Sequence, residues 1–290
     1  MNESLKLSVC MITYNHEKFI KESIEGVLMQ ECEFEIELIV ADDCSPDATQ
    51  FIVESIIKEH PRGCWIKYVK HSENLGVMPN FVWAMSQCSG DYIALCEGDD
   101  YWTDPLKLQK QVEFLEANPD YSIAFHNATV IDEHSSVISG SLLNPIPNEE
   151  YTSLEIMEGG VIPTATVMFR NNLLCLPKSF KTIFNGDTFL FALLAQHGKA
   201  KYLKDIKNSF RRIHKGGVWS SLTEYQRLKK GTNTFFKILK VIEVKYKPII
   251  ARVISNKLDN LLKMHLQNYN LIFFIKDLCF KYILEKRYKI

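Results

Sequence analysis

The run Leu7-Ser8-Val9-Cys10-Met11-Ile12-Thr13 is short and almost wholly apolar, the pattern of a strand covered by helices on both faces. After the loop Tyr14-Asn15-His16, Phe19, Ile20, Ile24, Val27 and Leu28 recur at helical spacing. A second strand over 36–41 ends in Asp42-Asp43-Cys44-Ser45-Pro46-Asp47, a helix follows on Phe51, Ile52, Ile56 and Ile57, and residues 65–69 read as a third strand. Strand alternating with helix is the grammar of a parallel, doubly wound sheet.

The polar turn 71–80, which contains Asn74-Leu75-Gly76, leads to a helix of about two turns over 81–87. Next comes Tyr92-Ile93-Ala94-Leu95-Cys96, a buried strand that runs straight into Glu97-Gly98-Asp99-Asp100-Tyr101-Trp102. Leu106, Leu108, Val112 and Leu115 mark an amphipathic helix closed by Asn118-Pro119, and residues 121–125 a further strand. Residues 126–158 read as irregular, with Asn144-Pro145-Ile146-Pro147 as a mobile loop. Order returns with a strand over 161–169, an apolar helix over 189–196 behind Asn185-Gly186-Asp187 and stopped by His197-Gly198, and two short strands at 201–203 and 209–214. From about residue 222 the pattern is helical and basic, broken near Pro248.

Charge divides the chain at the same place. Residues 1–223 carry 19 Lys and Arg against 30 Asp and Glu, whereas residues 224–290 carry 15 against 5. The run of Leu271, Ile272, Phe273, Phe274, Ile275, Cys279, Phe280 and Ile283 among lysines is too short and too charged to span a bilayer. It predicts either peripheral contact with an anionic membrane or packing on the body or on a second copy, as in a homodimer. The eight cysteines form no C-x-x-C pair and read as free thiols. The first seven residues hold no long apolar region or small-residue cleavage site, which predicts a cytoplasmic start. Nothing points to nucleic acid.

Three carboxylates spaced by one glycine repel one another and stay ionised together only beside a cation or strong donors. A divalent metal held by oxygen ligands, with phosphate as its usual partner, is the candidate. Thr13-Tyr14-Asn15, Asp42-Asp43 and Glu97-Asp99-Asp100 all fall at strand ends, which in a doubly wound sheet converge on one crevice. Carboxylates there can accept from a ribose hydroxyl or a base N–H. Taken alone, Asp42-Asp43 reads as an Asx turn with Ser45-Pro46, and Asp187 reads as a helix cap as readily as a reactive group. The chain has neither a G-x-x-x-x-G-K-[ST] nor a G-x-G-x-x-G segment, so no P-loop or dinucleotide fingerprint accounts for the sheet.

Thr13-Tyr14-Asn15, Asp42-Asp43-Cys44-Ser45-Pro46-Asp47, Asn74-Leu75-Gly76, Glu97-Gly98-Asp99-Asp100, Asn185-Gly186-Asp187 and Arg211-Arg212-Ile213-His214-Lys215-Gly216-Gly217-Val218-Trp219-Ser220, in this order, resemble the family 2 glycosyltransferases of GT-A fold. The resemblance covers about residues 7–220. It implies an α/β GT-A domain over 1–221, with the nucleotide-sugar half to about 126 and the acceptor side with the catalytic base over 127–221, followed by a basic helical region at 222–290.

It further implies an inverting, metal-dependent transfer from a nucleotide diphosphate sugar, most simply a UDP-sugar, to a glycan or lipid-linked acceptor in cell-surface polysaccharide synthesis. Thr13, Tyr14, Asn15, Asp42, Asp43, Asn74, Gly76, Glu97, Gly98 and Arg212 would then line the donor site, and Asp99, Asp100 and His214 would hold Mg²⁺ or Mn²⁺. Asp187, partly buried, would be the base. Trp102 and Trp219 either pack on the sugar or anchor core and loop. Two other functions fit a similar fold: a nucleotidyltransferase, and a non-catalytic module that binds nucleotide sugars or carbohydrate.

Overall fold

The structure, a computed structural model, describes residues 5–143, 149–217, 222–267 and 271–290. The chain opens with β1 (Lys6–Thr13), α1 (Ile20–Leu28), β2 (Glu35–Asp42), α2 (Thr49–Glu59), β3 (Ile66–Lys70), α3 (Val77–Gln87), β4 (Tyr92–Leu95), α4 (Lys107–Ala117) and β5 (Tyr121–Phe125). It continues with β6 (Ala128–Asp132), β7 (Val137–Ser139), β8 (Glu150–Tyr151), α5 (Ser153–Met157), β9 (Met168–Arg170), α6 (Gly186–Leu194), β10 (Lys199–Tyr202) and β11 (Ser209–Ile213). Three helices close it: α7 (Glu224–Val241), α8 (Lys247–Gln267) and α9 (Leu271–Tyr288).

The main sheet runs β3-β2-β1-β4-β9-β5-β10-β8. Its first four strands are parallel, as the alternating strand and helix pattern predicts. β9 then enters antiparallel between β4 and β5, so the sheet is mixed. Alternation along β1 sorts the two cores. Leu7, Val9 and Met11 pack with Ile20, Ile24 and Leu108 on one face, while Cys10 joins Ala84, Phe189 and Leu190 on the other. Phe235, Ile238, Ile250 and Ile254 of α7 and α8 belong to that second core, so the basic C-terminal region is built onto the sheet.

Several elements differ from the sequence pattern for local reasons. The 126–158 segment holds β6, β7, β8 and α5. β6 is buried on nearly every residue and therefore shows no alternation, and β8 is two residues long. α5 starts at a capping box in which Thr152 and Glu155 satisfy each other's backbone N–H groups. The strand expected over 161–169 shrinks to Met168–Arg170, because Pro163 leads into a 3-10 turn at Thr164–Thr166. The freed carbonyls of Ala165 and Thr166 accept from Trp102 Nε1 at 2.6 Å and Gln111 Nε2 at 2.9 Å. α3 starts a turn early because Pro79 lies in its first turn, where a missing N–H costs no intrahelical bond. The C-terminal break falls before Pro248, which sits in the first turn of α8. The loop 144–147 lies outside the described residues.

A second sheet, β11-β6-β7, sits beside the first. Tyr101 and Phe210 exchange backbone hydrogen bonds and stack their rings 4.8 Å apart, which fixes the acidic loop after β4 against β11. Trp102 is buried core, with the Lys107 ammonium 3.9 Å from its ring centre, so it is closed to a sugar. Trp219 lies outside the described residues. The cysteines are free thiols, and among the described residues no helix is long and apolar enough to cross a membrane.

Candidate active site

The loop after β1 lies at the carboxyl edge of the parallel strands and is tied to the loop after β2. Asn15 N–H donates to Ser45 Oγ at 2.9 Å and His16 N–H to Thr49 Oγ1 at 3.1 Å. Asn15 itself takes φ 61°, a left-handed conformation Asn tolerates. Asp42 and Asp43 are both buried. Asp42 accepts from Ser45 N–H at 2.7 Å and from the Tyr68 hydroxyl at 2.7 Å, the Asx-turn reading with an added phenol. Asp43 accepts from the N–H groups of Leu75 and Gly76 at 2.7 and 2.9 Å, and Asn74 Oδ1 caps Gly76 N–H at 3.1 Å. Gly76 adopts φ 88°, which favours glycine. Asp42, Asp43 and Asn74 thus tie together the loops after β2 and β3 at this edge of the sheet. Tyr14 is exposed beside them.

The acidic loop closes on β1. Gly98 N–H donates to Ile12 O at 2.9 Å. A Cβ on Gly98 would come within 2.7 Å of Thr13 Oγ1 and 3.1 Å of His16 Nδ1, so glycine is what allows this approach. Thr13 Oγ1 and His16 Nδ1 lie 3.2 Å apart. Across the loop, His214 Nε2 stands 3.0 Å from Asp99 Oδ2. One ligand atom each from His16, Asp99 and His214 falls within 4.8 Å of the others. Two imidazoles and a carboxylate form a donor set that fits a divalent transition ion better than Mg²⁺, which prefers oxygen alone. Burial lowers the His16 pKa, which keeps its ring neutral and able to ligate. For Asp99 burial pushes upward, but the His214 hydrogen bond and the His16 ring outweigh it and the pKa falls.

Asp100 is not part of that cluster. Its Oδ1 accepts from the Arg212 backbone N–H at 2.8 Å, and burial, followed by the Asp99 and Glu97 charges, raises its pKa well above the ordinary carboxylate value. Arg212 likewise departs from the donor-gripping role. Its side chain is 1% exposed, with the guanidinium on Glu22 Oε2 at 2.7 Å, Asp132 O at 3.2 Å, Ser135 Oγ at 3.1 Å and Asp99 O at 3.1 Å, and over the Phe19 ring. Arg212 staples the acidic loop. It is the neighbouring Arg211 whose charge opposes the upward shift of Glu97.

Glu97 is half-buried, and its pKa is pushed up to about 8 by burial and by the charges of Asp99 and Asp187. Asp187, 90 residues further along the sequence, lies close enough for its charge to be felt at Glu97. Asp187 occupies the first turn of α6 behind Asn185, where a carboxylate is favoured by the helix dipole, and its Oδ1 accepts from Thr188 N–H at 2.6 Å. It is exposed, which corrects the expectation of partial burial: the face of α6 that carries it looks away from the core.

His16 is the residue the sequence pattern leaves as plain loop. Its only signal is its place three residues after Thr13, at the end of an edge-lining strand.

The family model for glycosyl transferase family 2 matches residues 8–174. Curated relatives from Mycobacterium are 34% identical over 218 residues, which is 74% of this chain and 61% of theirs, so the chain spans about three-fifths of those proteins. The Escherichia coli UDP-Glc:alpha-D-GlcNAc-diphosphoundecaprenol beta-1,3-glucosyltransferase WfaP is 25% identical over 82% of this chain and 87% of its own. Among solved structures, S. aureus TarS (residues 1–349) in complex with UDP-GlcNAc superposes with a TM-score of 0.61 at 18% identity, covering 98% of this chain and 92% of that one. The mannosyltransferase PcManGT from Pyrobaculum calidifontis, in complex with GDP-Man and Mn2+, gives 0.62 at 15% identity, covering 98% and 85%. These neighbours share the GT-A fold. With its family model spanning more than half of the chain, this protein belongs to glycosyl transferase family 2.

Proposed function

We propose that the chain transfers a sugar from a nucleotide diphosphate donor to a hydroxyl of a glycan or lipid-linked acceptor, with inversion at the anomeric carbon. The reading rests on the His16, Asp99 and His214 donor set after β4, with the charge of Asp187 felt at the neighbouring Glu97. The acceptor oxygen attacks the anomeric carbon, the bond from that carbon to the diphosphate oxygen breaks, and the acceptor proton passes to a carboxylate oxygen of Asp187. Its exposure leaves Asp187 open to an incoming acceptor. His16, Asp99 and His214 would hold a divalent ion, and such an ion supplies Lewis-acid neutralisation of the leaving diphosphate. Arg212 and Asp100 hold the loop that positions Asp99, while Tyr14 and Asn15 face the nucleoside side. Glu97, at the head of the acidic loop, would face the donor.

A UDP-sugar donor and a lipid-linked acceptor are supported by the UDP-GlcNAc bound to TarS and by the printed activity of WfaP. Mn²⁺ is supported by its presence with GDP-Man in PcManGT. The test is product formation from labelled UDP- and GDP-sugars with Mn²⁺ and with EDTA. Asp187→Asn should keep donor affinity and lose at least about 100-fold in turnover. Donor binding with no turnover in the unaltered protein on any acceptor would support a binding module, and pyrophosphate release would support a nucleotidyltransferase.

A further inference from the structure

The last helix leaves a large apolar surface uncovered. α9 packs mainly on α8, and the face it turns inward carries its ions around the buried Leu284: Asp277 pairs with His265 at 3.2 Å, Lys281 with Asp259, and Glu285 accepts from Ser255 Oγ at 2.7 Å, while Phe273 and Phe280 flank this face against His265 and Phe236. Asp277, Lys281, Leu284 and Tyr288 recur at i+4, i+3 and i+4, one stripe of a helix. The opposite face carries Ile272, Ile275, Tyr282 and Ile283, of which Ile272 is 81%, Tyr282 64% and Ile283 60% exposed. Lys276, Lys286, Arg287 and Lys289 stand exposed among or just beyond them. The two acids of α9, Asp277 and Glu285, belong to the inward stripe, so the outer face combines apolar side chains with cations alone.

We infer that this outer face of α9 seats on the surface of an anionic phospholipid bilayer. An apolar face with cations, on a helix too charged to cross, is the form that lies in the interfacial plane, where the apolar side chains enter the acyl boundary and the cations meet lipid phosphates. Charge complementarity and the apolar side chains among the cations favour this occupant. An isologous pairing of two copies through the same face would bury cations with no carboxylate opposite in any register. Reciprocal docking of α9 on the acidic body of a second copy would close a two-fold dimer, and is the rival that the oligomeric state of the whole chain tests. Seating also brings to the lipid surface a groove lined by Lys229, Lys237, Lys276 and Phe273, which adjoins Phe184 just before Asp187. That last consequence rests on the transfer reading; the docking itself does not.

The experiment uses the whole chain without donor, in co-sedimentation with sucrose-loaded vesicles of phosphatidylcholine alone or with about a quarter phosphatidylglycerol, at about 0.1 M and about 1 M salt. The expected result is pelleting with the anionic vesicles at low salt, lost at high salt and absent on phosphatidylcholine. The doubles Ile272→Asp with Ile283→Asp, and Lys286→Glu with Arg287→Glu, should each weaken it at least about tenfold while circular dichroism and Tm stay as in the parent chain. The inference is overturned by no pelleting, by equal pelleting on both vesicles, by folded variants that bind as the parent does, or by a dimer in solution that these variants dissociate in place of vesicle binding.

Discussion

His214 Nε2 lies 3.0 Å from Asp99 Oδ2, although 115 residues separate the two in the chain. The contact exists because Tyr101 pairs with Phe210 and the Arg212 N–H binds Asp100, so the acidic loop and β11 run side by side and the residue after β11 meets the loop.

Asp99 and Asp100 should therefore behave as opposites. Asp99→Asn removes one donor of the cluster and should weaken Mn²⁺ binding by more than about tenfold in calorimetry. Asp100→Asn keeps an oxygen for the Arg212 N–H at a site where burial already favours the neutral form, and should bind Mn²⁺ within about threefold of the parent chain. Equal losses in the two variants would contradict the geometry.

Arg212→Lys tests the staple. A single ammonium cannot span Glu22, Asp132 O, Ser135 and Asp99 O together, and it leaves buried acceptors unpaired. The expected loss is about 3 kcal/mol in denaturant unfolding. Metal affinity should fall with it, since Asp99 loses its backbone anchor.

Glu37 sets an acid limit on stability. Burial opposes its ionisation, but hydrogen bonds from Lys67 at 2.5 Å, Ser8 at 2.5 Å and Ser89 at 2.8 Å outweigh that and hold its pKa at about 2, against 4.5 for the free side chain. A depressed carboxylate contributes stability that is present above its unfolded pKa and lost as pH falls toward the folded value. Glu37→Gln should cost roughly 2–3 kcal/mol at pH 7, and the difference from the parent chain should vanish as pH is lowered from about 4.5 to about 2.

Lys107 has the opposite effect. It is fully buried, bonded to Gln111 Oε1 at 2.6 Å, and burial lowers its pKa to about 7 from 10.5. Between those values the unfolded chain binds the extra proton, so this residue's contribution to stability rises with pH. Lys107→Met should raise Tm at pH 7, and the gain should shrink toward pH 10. A gain independent of pH would mean that the ammonium is not what burial penalises.

Short-range pattern was enough for the elements whose neighbours reinforce them. The apolar runs of β1, β2 and β4, and the periodic faces of α1, α2 and α4, read directly from the chain, because a strand covered on both faces or a helix on one surface repeats at a fixed interval. The turns that carry Thr13, Asp42, Glu97 and Asp187 were legible for the same reason: each abuts such an element. The site's assignments needed contacts that no local pattern holds. Whether Asp99 or Asp100 faces His214 depends on one turn of backbone at Gly98. Arg212 is drawn away from the crevice by Glu22, which lies 190 residues earlier. His16 joins the cluster because a glycine lets it approach.

By itself the sequence determined an α/β sheet with acidic strand ends, a basic helical tail and a family resemblance, since those follow from composition and period. The tertiary structure decided the partner of each carboxylate, His214 for Asp99 and the Arg212 N–H for Asp100, and that α9 turns its acids toward α8. Those outcomes depend on pairings between residues tens to hundreds of positions apart, and hydrogen bonds of that range are fixed only when the whole chain has packed.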